Sequence, residues 1–529
     1  MMTTFKTYNI VRKVRKQVLH FSLFAFAFSM VFASCAGDDS TVADVLIPGI
    51  TIGALTADGE QLTVVSYEHN RLTLSPTVTS GYADSELSYD WYLIDVAAEN
   101  VYHPATDTDY HFDRLHIASG RQLDYEVNLT PGQYTLVFEV KAANGYTASQ
   151  TATLNAVTNF TQGFYILKET ADGQTELDLY NPANGAFLEN VVTTVHGQPF
   201  SGKPQNLSVA TGHSYIDTET NEMASATLVT VTTQDGQIYA MRSSDLSVVH
   251  DRQTLLFVPM EADEQPYRIV SGSWGNYYVS SKGVRFQYAS SMSLSTSGKY
   301  GLESVMKASP YVCYDEGSSN LFFWDADSHS IGQCDYNGAT TVAQDERYKL
   351  SGLVRMTCAA AGYNAMTGNI VFVLSSLDGS QRQLVLLSSS FTGGVEVQAM
   401  RALTVSKINR ASLFSVCYSS AALLYGVVDN RIYGLDLTSF TEQAITPRGL
   451  DEGEQIVYIS NQSGGYVAEH DYLVVGTQQG TRYTLRFYNL LGGLPDGEPV
   501  VTLSGTGSPR AIHYTTQQTF AFSVIPYQD

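Results

Sequence analysis

The chain has 529 residues, of which 52 are acidic and 30 basic, giving a formal net charge of −22. A surface this negative repels phosphate backbones and anionic lipid headgroups, which argues against nucleic acid as a partner. The length exceeds what one hydrophobic core ordinarily serves, so more than one domain is expected. At the N-terminus Lys6, Arg12, Lys13, Arg15 and Lys16 stand before the first acid, and residues 18–33 are apolar, with Phe21, Leu23, Phe24, Phe26 and Phe28. A basic segment, then an apolar run shorter than a membrane span, then small residues is the pattern of a secretory signal peptide, here residues 1–34.

Phe32-Ala33-Ser34-Cys35 resembles the lipobox of bacterial lipoproteins, in which the chain is cut before the cysteine and the cysteine is acylated; Phe32 stands where the pattern has Leu, Val or Ile. The acidic stretch that follows, Ala36-Gly37-Asp38-Asp39-Ser40, resembles the surface-export signal of Bacteroidota lipoproteins. The resemblance implies lipidation at Cys35, contact with membrane through the lipid anchor only, and an outer-membrane location facing the cell exterior. Several acyl chains, at about 0.8 kcal/mol per buried methylene, hold a soluble domain at a membrane. Cleavage removes five basic and no acidic residues, so the mature chain is more negative still. Residues 35–44 are a short polar tether.

From 45 to 158 apolar and polar residues alternate in short runs, among them "RLTLSPTV", "LSYDWYLI" and "YTLVFEV", with turn residues between. Period-two strands at this spacing predict a β-sandwich, with Trp91 at its centre and a type I′ hairpin at Asn144-Gly145. The "DWYLI" strand and the "PGQYTLVFEVKAANGY" pair resemble those of PKD and related Ig-like domains. Inside this region residues 102–116 hold Asp107, Asp109, His111 and Asp113, a weak candidate metal set whose plainer reading is a solvated loop.

Residues 159–529 repeat one unit, a strand, a polar turn and a second strand. The turns fall near Gly173, Gly236, Gly283, Ser319, Gly379, Asn430 and Gly480. A lone hairpin is unstable in water, whereas copies closed in a ring remove the exposed edges; four strands per copy of about 50 residues make a propeller blade. The prediction is an all-β chain, a sandwich followed by a β-propeller of seven blades, with a large sandwich or solenoid as the alternative. "AIHYTTQQTFAFSVIP" is expected to close the ring against the strand near Phe164. "DGQIYAMRSSDL" and "DNRIYGLDLTS" resemble hairpins of quinoprotein-like and YWTD-like propellers, although no signal for a quinone or any other cofactor accompanies them.

Serine-hydrolase, zincin and nucleotide motifs are absent from the sequence. Cys313, Cys334, Cys358 and Cys417 lack CxxC spacing and read as buried small hydrophobes, with a Cys313–Cys334 disulfide as the alternative. Asp325, Asp327 and His329 in "WDADSHS" read as turn caps rather than ligands. Most acids lie in turns, such as Asp172, Asp235, Asp378 and Asp429, which favours a binder over a glycosidase. With 34 tyrosines in the chain, Tyr277, Tyr278, Tyr466 and Tyr472 are candidate ligand contacts, because a flat ring with a hydroxyl suits sugars and peptides.

In domain order the chain resembles PKD-like family lipoproteins of the Bacteroidota. The resemblance implies an accessory subunit of a SusC/SusD-type importer that captures oligopeptides or glycans, with a hydrolase or lyase at the propeller mouth, or a pure scaffold, as alternatives.

Overall fold

The computed structural model describes residues 48–515 except 57–59, 97–113, 218–220, 289–297, 302–305, 354, 391–393, 452 and 465–466. Cys35, the metal candidates Asp107, Asp109, His111 and Asp113, and Tyr466 lie outside the described residues. Within them the chain is nearly all strand, as the alternating and repeating patterns predict.

The N-terminal region is a sandwich. One sheet has five strands in the order Leu62–Val65, Thr147–Val157, Gly132–Ala142, Leu87–Asp95 and Leu115–Ser119. Two short ladders complete the region, Ile50–Ile52 with Val78–Ser80 and Arg71–Leu74 with Leu123–Glu126. Trp91 is fully buried at the centre, stacked on Phe138 with ring centroids 4.3 Å apart, and its indole N–H donates to the Gly120 carbonyl at 3.0 Å. The hairpin at Asn144-Gly145 differs from the predicted type I′ turn. Only Gly145 has positive φ (91°), and its N–H closes a four-residue turn onto the Ala142 carbonyl. The Asn144 side chain explains the change: it accepts from Tyr146 N and donates to the Tyr82 hydroxyl, holding Asn144 out of the left-handed region.

Beyond Gly163 seven sheets follow one another, counted among the described residues. Their first strands are Pro204–Ile216, Pro266–Ser271, Ala308–Asp315, Met356–Asn364, Leu413–Val416, Gln455–Gly464 and, for the sheet that begins the ring, the C-terminal Ser508–Thr515. Each touches the next, and Ser508–Thr515 touches both Gln455–Gly464 and Pro204–Ile216, so the inner strands form a closed circle. Closure comes at the start of the stretch to which the sequence pointed, whose residues 516–526 lie outside the described residues: Ser508–Thr515 pairs antiparallel with Gly163–Glu169, Phe164 opposite Tyr514. The fold is a β-sandwich followed by a β-propeller. Six of the seven anticipated turns join the second and third strands of their sheets; Ser319 instead joins the first and second, and in that sheet the matching turn is Asp325–His329.

The apolar clusters lie between sheets. Phe322 and Trp324 of one pack with Ile370 and Phe372 of the next, Val371 and Leu384 with Leu424 and Leu435, and Phe164 and Ile166 with Val474 and Leu485 across the closure. Middle strands are therefore buried on both faces, as in Asn320–Asp325 and Leu423–Val428. All four described cysteines are buried and free, so the disulfide alternative falls. The closure also buries an ion pair, Lys168 Nζ to Asp178 at 2.7 Å, which the Tyr483 hydroxyl joins from the last sheet. Burial pushes the Asp178 carboxyl up despite that lysine.

The two regions meet through Tyr67, stacked on Phe160 at 5.7 Å, and through Asn159, which donates to Glu68 at 2.8 Å.

Candidate functional site

Each inner strand begins at the same end of the ring, because every sheet repeats the same up-down order. At that end the opening residues of five inner strands enclose a cavity of about 280 Å³. Gln205, Asn206 and Leu207 come from one strand, Arg268 from the next, Pro310 and Tyr311 from a third, Tyr458 from a fourth, and Arg510, Ala511, Ile512 and His513 from the closing strand. The sequence places these residues as far as 308 positions apart, and ring closure makes them neighbours.

The cavity is rich in donors. The Arg268 side chain is 4% exposed, an unusual degree of burial for a guanidinium. Arg510, on the rim, pairs with Glu169 at 2.5 Å. His513 donates from Nδ1 to the Tyr514 carbonyl at 3.1 Å. Burial first, and then the Arg268 charge, press its imidazole down to about 4. Gln205 Oε1 accepts from the Gln265 amide, Asn206 Oδ1 from Leu207 N and Tyr458 Oη from Ile512 N. Among the described residues neither Asp nor Glu lines the cavity.

A second recess, of about 460 Å³, opens at the same end but farther from the axis. Gln174, His196, Gln198, Pro199, Ser201 and the stacked pair Phe200–Tyr239, 3.9 Å apart and nearly parallel, form its walls. The His196 Nε2 lies 2.9 Å from the Leu246 carbonyl, so this ring is tied to the scaffold.

The tyrosines singled out from sequence lie elsewhere. Tyr277 and Tyr278 are buried within their sheet, Tyr277 against Tyr314 and Phe286 and Tyr278 against Tyr300, and Tyr472 packs with Phe164 and Phe487 across the closure. All three are packing residues, a correction that follows from middle strands having no solvent face. The site tyrosines are Tyr311 and Tyr458 on inner strands. A signal for the site was present in the sequence, a basic residue inside an otherwise apolar strand, in "PYRIVS" and "SPRAIHYT".

The turn acids cap turns. Asp325 accepts from the backbone of Asp327 and Ser328 and from the Ser328 hydroxyl, as "WDADSHS" suggested. Asp378 accepts from the Ser376 hydroxyl and from Ser380, which holds its carboxyl down to about 2. Glu316, at the opposite end of the ring, is pushed up by burial while taking a 2.7 Å hydrogen bond from Tyr418. Among the described residues no helix is long and apolar enough to cross a membrane, and no three His, Cys, Asp or Glu stand close enough to share a metal ion.

The sequence model of the PKD-like family matches residues 51–204, the sandwich and the outer strands of the first ring sheet. No curated protein matches. Among solved structures, dihydro-heme d1 dehydrogenase NirN in complex with DHE is 9% identical over 80% of this chain and 74% of its own, with a TM-score of 0.37. A DUF4784 family protein from Bacteroides caccae is 9% identical over 75% of this chain and 95% of its own (TM-score 0.29). The extracellular domain of a putative one-component system from B. thetaiotaomicron is 10% identical over 91% of this chain and 84% of its own (TM-score 0.28).

Proposed function

We propose that the protein is a cell-surface lipoprotein that captures nutrient oligomers, peptide or glycan, as an accessory subunit of a SusC/SusD-type TonB-dependent importer, with the propeller mouth as the capturing face. The observation that carries this reading is the channel cavity, where polar side chains and two tyrosines from five strands converge, with no carboxylate among the described lining residues. Hydrolysis of a glycoside needs two carboxyl groups flanking the bond, and among the described residues neither recess at this face is lined by one. A concave site lined by a few oriented polar groups on a rigid ring is suited to binding. The lipobox at Cys35 and the acidic run after it supply the anchor and the address.

Two measurements test the proposal. Affinity purification of the native protein from outer membranes, with mass spectrometry of retained proteins and small molecules, is expected to return an importer barrel together with an oligomer. Recovery of the importer without ligand would point to a scaffold, and turnover of oligosaccharide or peptide libraries would point to an enzyme. Cys35→Ala is expected to shift the protein from the detergent phase to the aqueous phase in Triton X-114 partitioning with an unchanged melting profile; retention in detergent would remove the anchor.

A further inference from the structure

We propose that Lys168 and Asp178 join through an amide bond between Nζ and Cγ, formed by the chain itself once the ring has closed. The proposal stands apart from the capture reading. It makes the ion pair at the closure the reactant of a self-modification.

The reacting groups are held together out of water. Lys168 is the one buried lysine among the described residues, and Asp178 is fully enclosed. In the pairing of Gly163–Glu169 with Thr175–Asn181, Ile166 stands opposite Asp178 and Lys168 opposite Glu176, which sets Lys168 and Asp178 diagonally on one face. A bulge against the closing strand falls between Leu167 and Lys168, a device that re-aims a side chain. Nζ lies 2.7 Å from Oδ1, and Oδ1 is one bond of about 1.2 Å from Cγ, so Nζ is within about 3.9 Å of that carbon. A near-attack geometry needs ~3–3.5 Å, a small turn of the lysine side chain away. Arg285 with Glu264 is also a buried pair, but a guanidinium keeps its proton and is no nucleophile.

The carboxyl is set up as an electrophile. The Asn190 N–H donates to Oδ1 at 2.7 Å, and the Tyr483 hydroxyl donates to Oδ2 from the last sheet. Donors on both oxygens stabilise the charge that grows there as the carbon turns tetrahedral. Burial, and then the Asp178 charge, push the Tyr483 hydroxyl far above its ordinary value, so it keeps its proton and remains a donor. Tyr483 fits because Gly505 stands opposite it: a Cβ there would come within 2.6 Å of its hydroxyl.

Burial pushes the Asp178 carboxyl up, toward the neutral pair of amine and carboxylic acid that a single proton transfer makes from the ion pair. The neutral Nζ attacks Cγ, the C–N bond forms and the Cγ–Oδ2 bond breaks. Oδ2 departs as water with two of the three ammonium protons; the third stays on the amide nitrogen, and Oδ1 becomes the amide oxygen. No electron is gained or lost. In water an amine and a carboxylic acid stay apart as hydrated ions. Here that hydration is gone, and groups fixed side by side act at effective molarities of about 10⁵–10⁸ M. The product removes two buried charges and fastens the first strand of the ring to its neighbour.

Mass spectrometry of the full chain, purified in detergent, denatured and then digested with trypsin, tests this. Trypsin cuts after a free lysine and not after an acylated one, and Lys203 is shielded by Pro204. The expected product is therefore peptide 142–242, uncut after Lys168 and lighter by one water, with the loss placed between Lys168 and Asp178 by its fragments. Lys168→Arg keeps a charge opposite Asp178 but cannot condense, and is expected to restore cutting after residue 168 with nothing lost from the mass. Tyr483→Phe keeps the ring and removes the donor to Oδ2. It is expected to slow the appearance of the product after cell-free synthesis by about a hundredfold.

Cutting after Lys168 in the larger part of the parent chains would overturn the proposal. So would a water lost at Asp172-Gly173 as a succinimide, which leaves Lys168 open to trypsin. A Lys168→Arg chain that still resists cutting at residue 168 would show that something other than the amide blocks the protease, and would end the proposal as well. Product formed at the parent rate in Tyr483→Phe would overturn the part given to Tyr483.

Discussion

The sandwich and the ring use the same secondary structure under opposite solvent conditions. In the sandwich burial can alternate along a strand, as in Leu87–Asp95, where Trp91 and Leu93 are buried and their neighbours are not. In the ring, sheets stand face to face around an axis, and the middle strands are buried throughout; Thr175–Asn181 encloses Glu176 and Asp178 along with its leucines. A strand with one wet face can turn a charge outward, whereas a carboxylate on a middle strand of the ring is buried and needs partners there. Glu176 accordingly receives the N–H groups of Val192 and Thr193 at the start of the short helix Val191–His196, and Asp178 takes Lys168, Asn190 N and the Tyr483 hydroxyl.

The largest expected effect on this contrast comes from the sandwich core. Trp91→Ala removes a fully buried indole that stacks on Phe138, and truncations of this kind cost about 3–5 kcal/mol. Scanning calorimetry is expected to show the sandwich transition lost or strongly lowered with the ring transition in place. A common shift of both would mean that the regions unfold as one unit.

The ring has a counterpart in its buried ion pair. Lys168→Met leaves Asp178 without its charge partner, and breaking such a pair costs about 3–5 kcal/mol. Chemical denaturation is expected to show the loss in the ring alone, and Lys168→Met combined with Asp178→Asn to recover a large part of it. A single variant as stable as the parent would show that the closure does not depend on this pair.

Acid should separate the regions further. Within the ring His213 and His250 sit 5.4 Å apart, centroid to centroid. Burial, and for His213 the neighbouring His250, presses them down to about 3 and about 4 from the ordinary 6.5. His250 also faces Lys299, which lowers it, and Asp251, which raises it. A histidine with a lowered folded pKa stays neutral while the unfolded chain takes up a proton. Its contribution is therefore complete above pH 6.5 and falls as pH drops toward the folded value. Each such histidine contributes a slope of up to about 1.4 kcal/mol per pH unit in that window. Asp178 and Glu316, both pushed up by burial, act in the opposite sense. The measurement is therefore the difference between the parent and His213→Gln/His250→Gln. The parent ring should lose more stability than the variant between pH 6.5 and 4.5, and parallel curves would refute the assignment.

The smallest effect is expected at the junction. Tyr67→Ala removes the stack on Phe160, worth about 0.5–1.5 kcal/mol for an aromatic pair beyond its buried area. Limited proteolysis between Val157 and Gly163 should quicken while both calorimetric transitions stay close to their original temperatures; an unchanged cleavage rate would show that Tyr67 does not hold the joint.

Much of this arrangement was legible in the residues. Trp91 declared the sandwich core because a tryptophan in an alternating run has one place to go. "AIHYTT" declared the closing strand because a ring whose first sheet lacks its inner strand needs one from the C-terminus. Asp325 declared a cap because an acid followed by small polar residues bonds to its own backbone. The ring tyrosines were misleading for a stated reason: a tyrosine in an apolar run gives the same local signal on an inner strand facing the channel and on a middle strand facing the next sheet. The hairpin at Asn144 diverged because a side-chain bond to Tyr82, 62 residues away, settled its φ.

The sequence by itself determined the strands, the two kinds of β region and the pairing that shuts the ring, since these follow from periodicity and turn chemistry that act over a few residues. Only the tertiary structure decided which side chains see the channel. Arg268, Tyr311, Tyr458 and Arg510 become one site because closure of the circle turns the opening residues of separate strands toward a common axis, and no local pattern carries the radius of that circle.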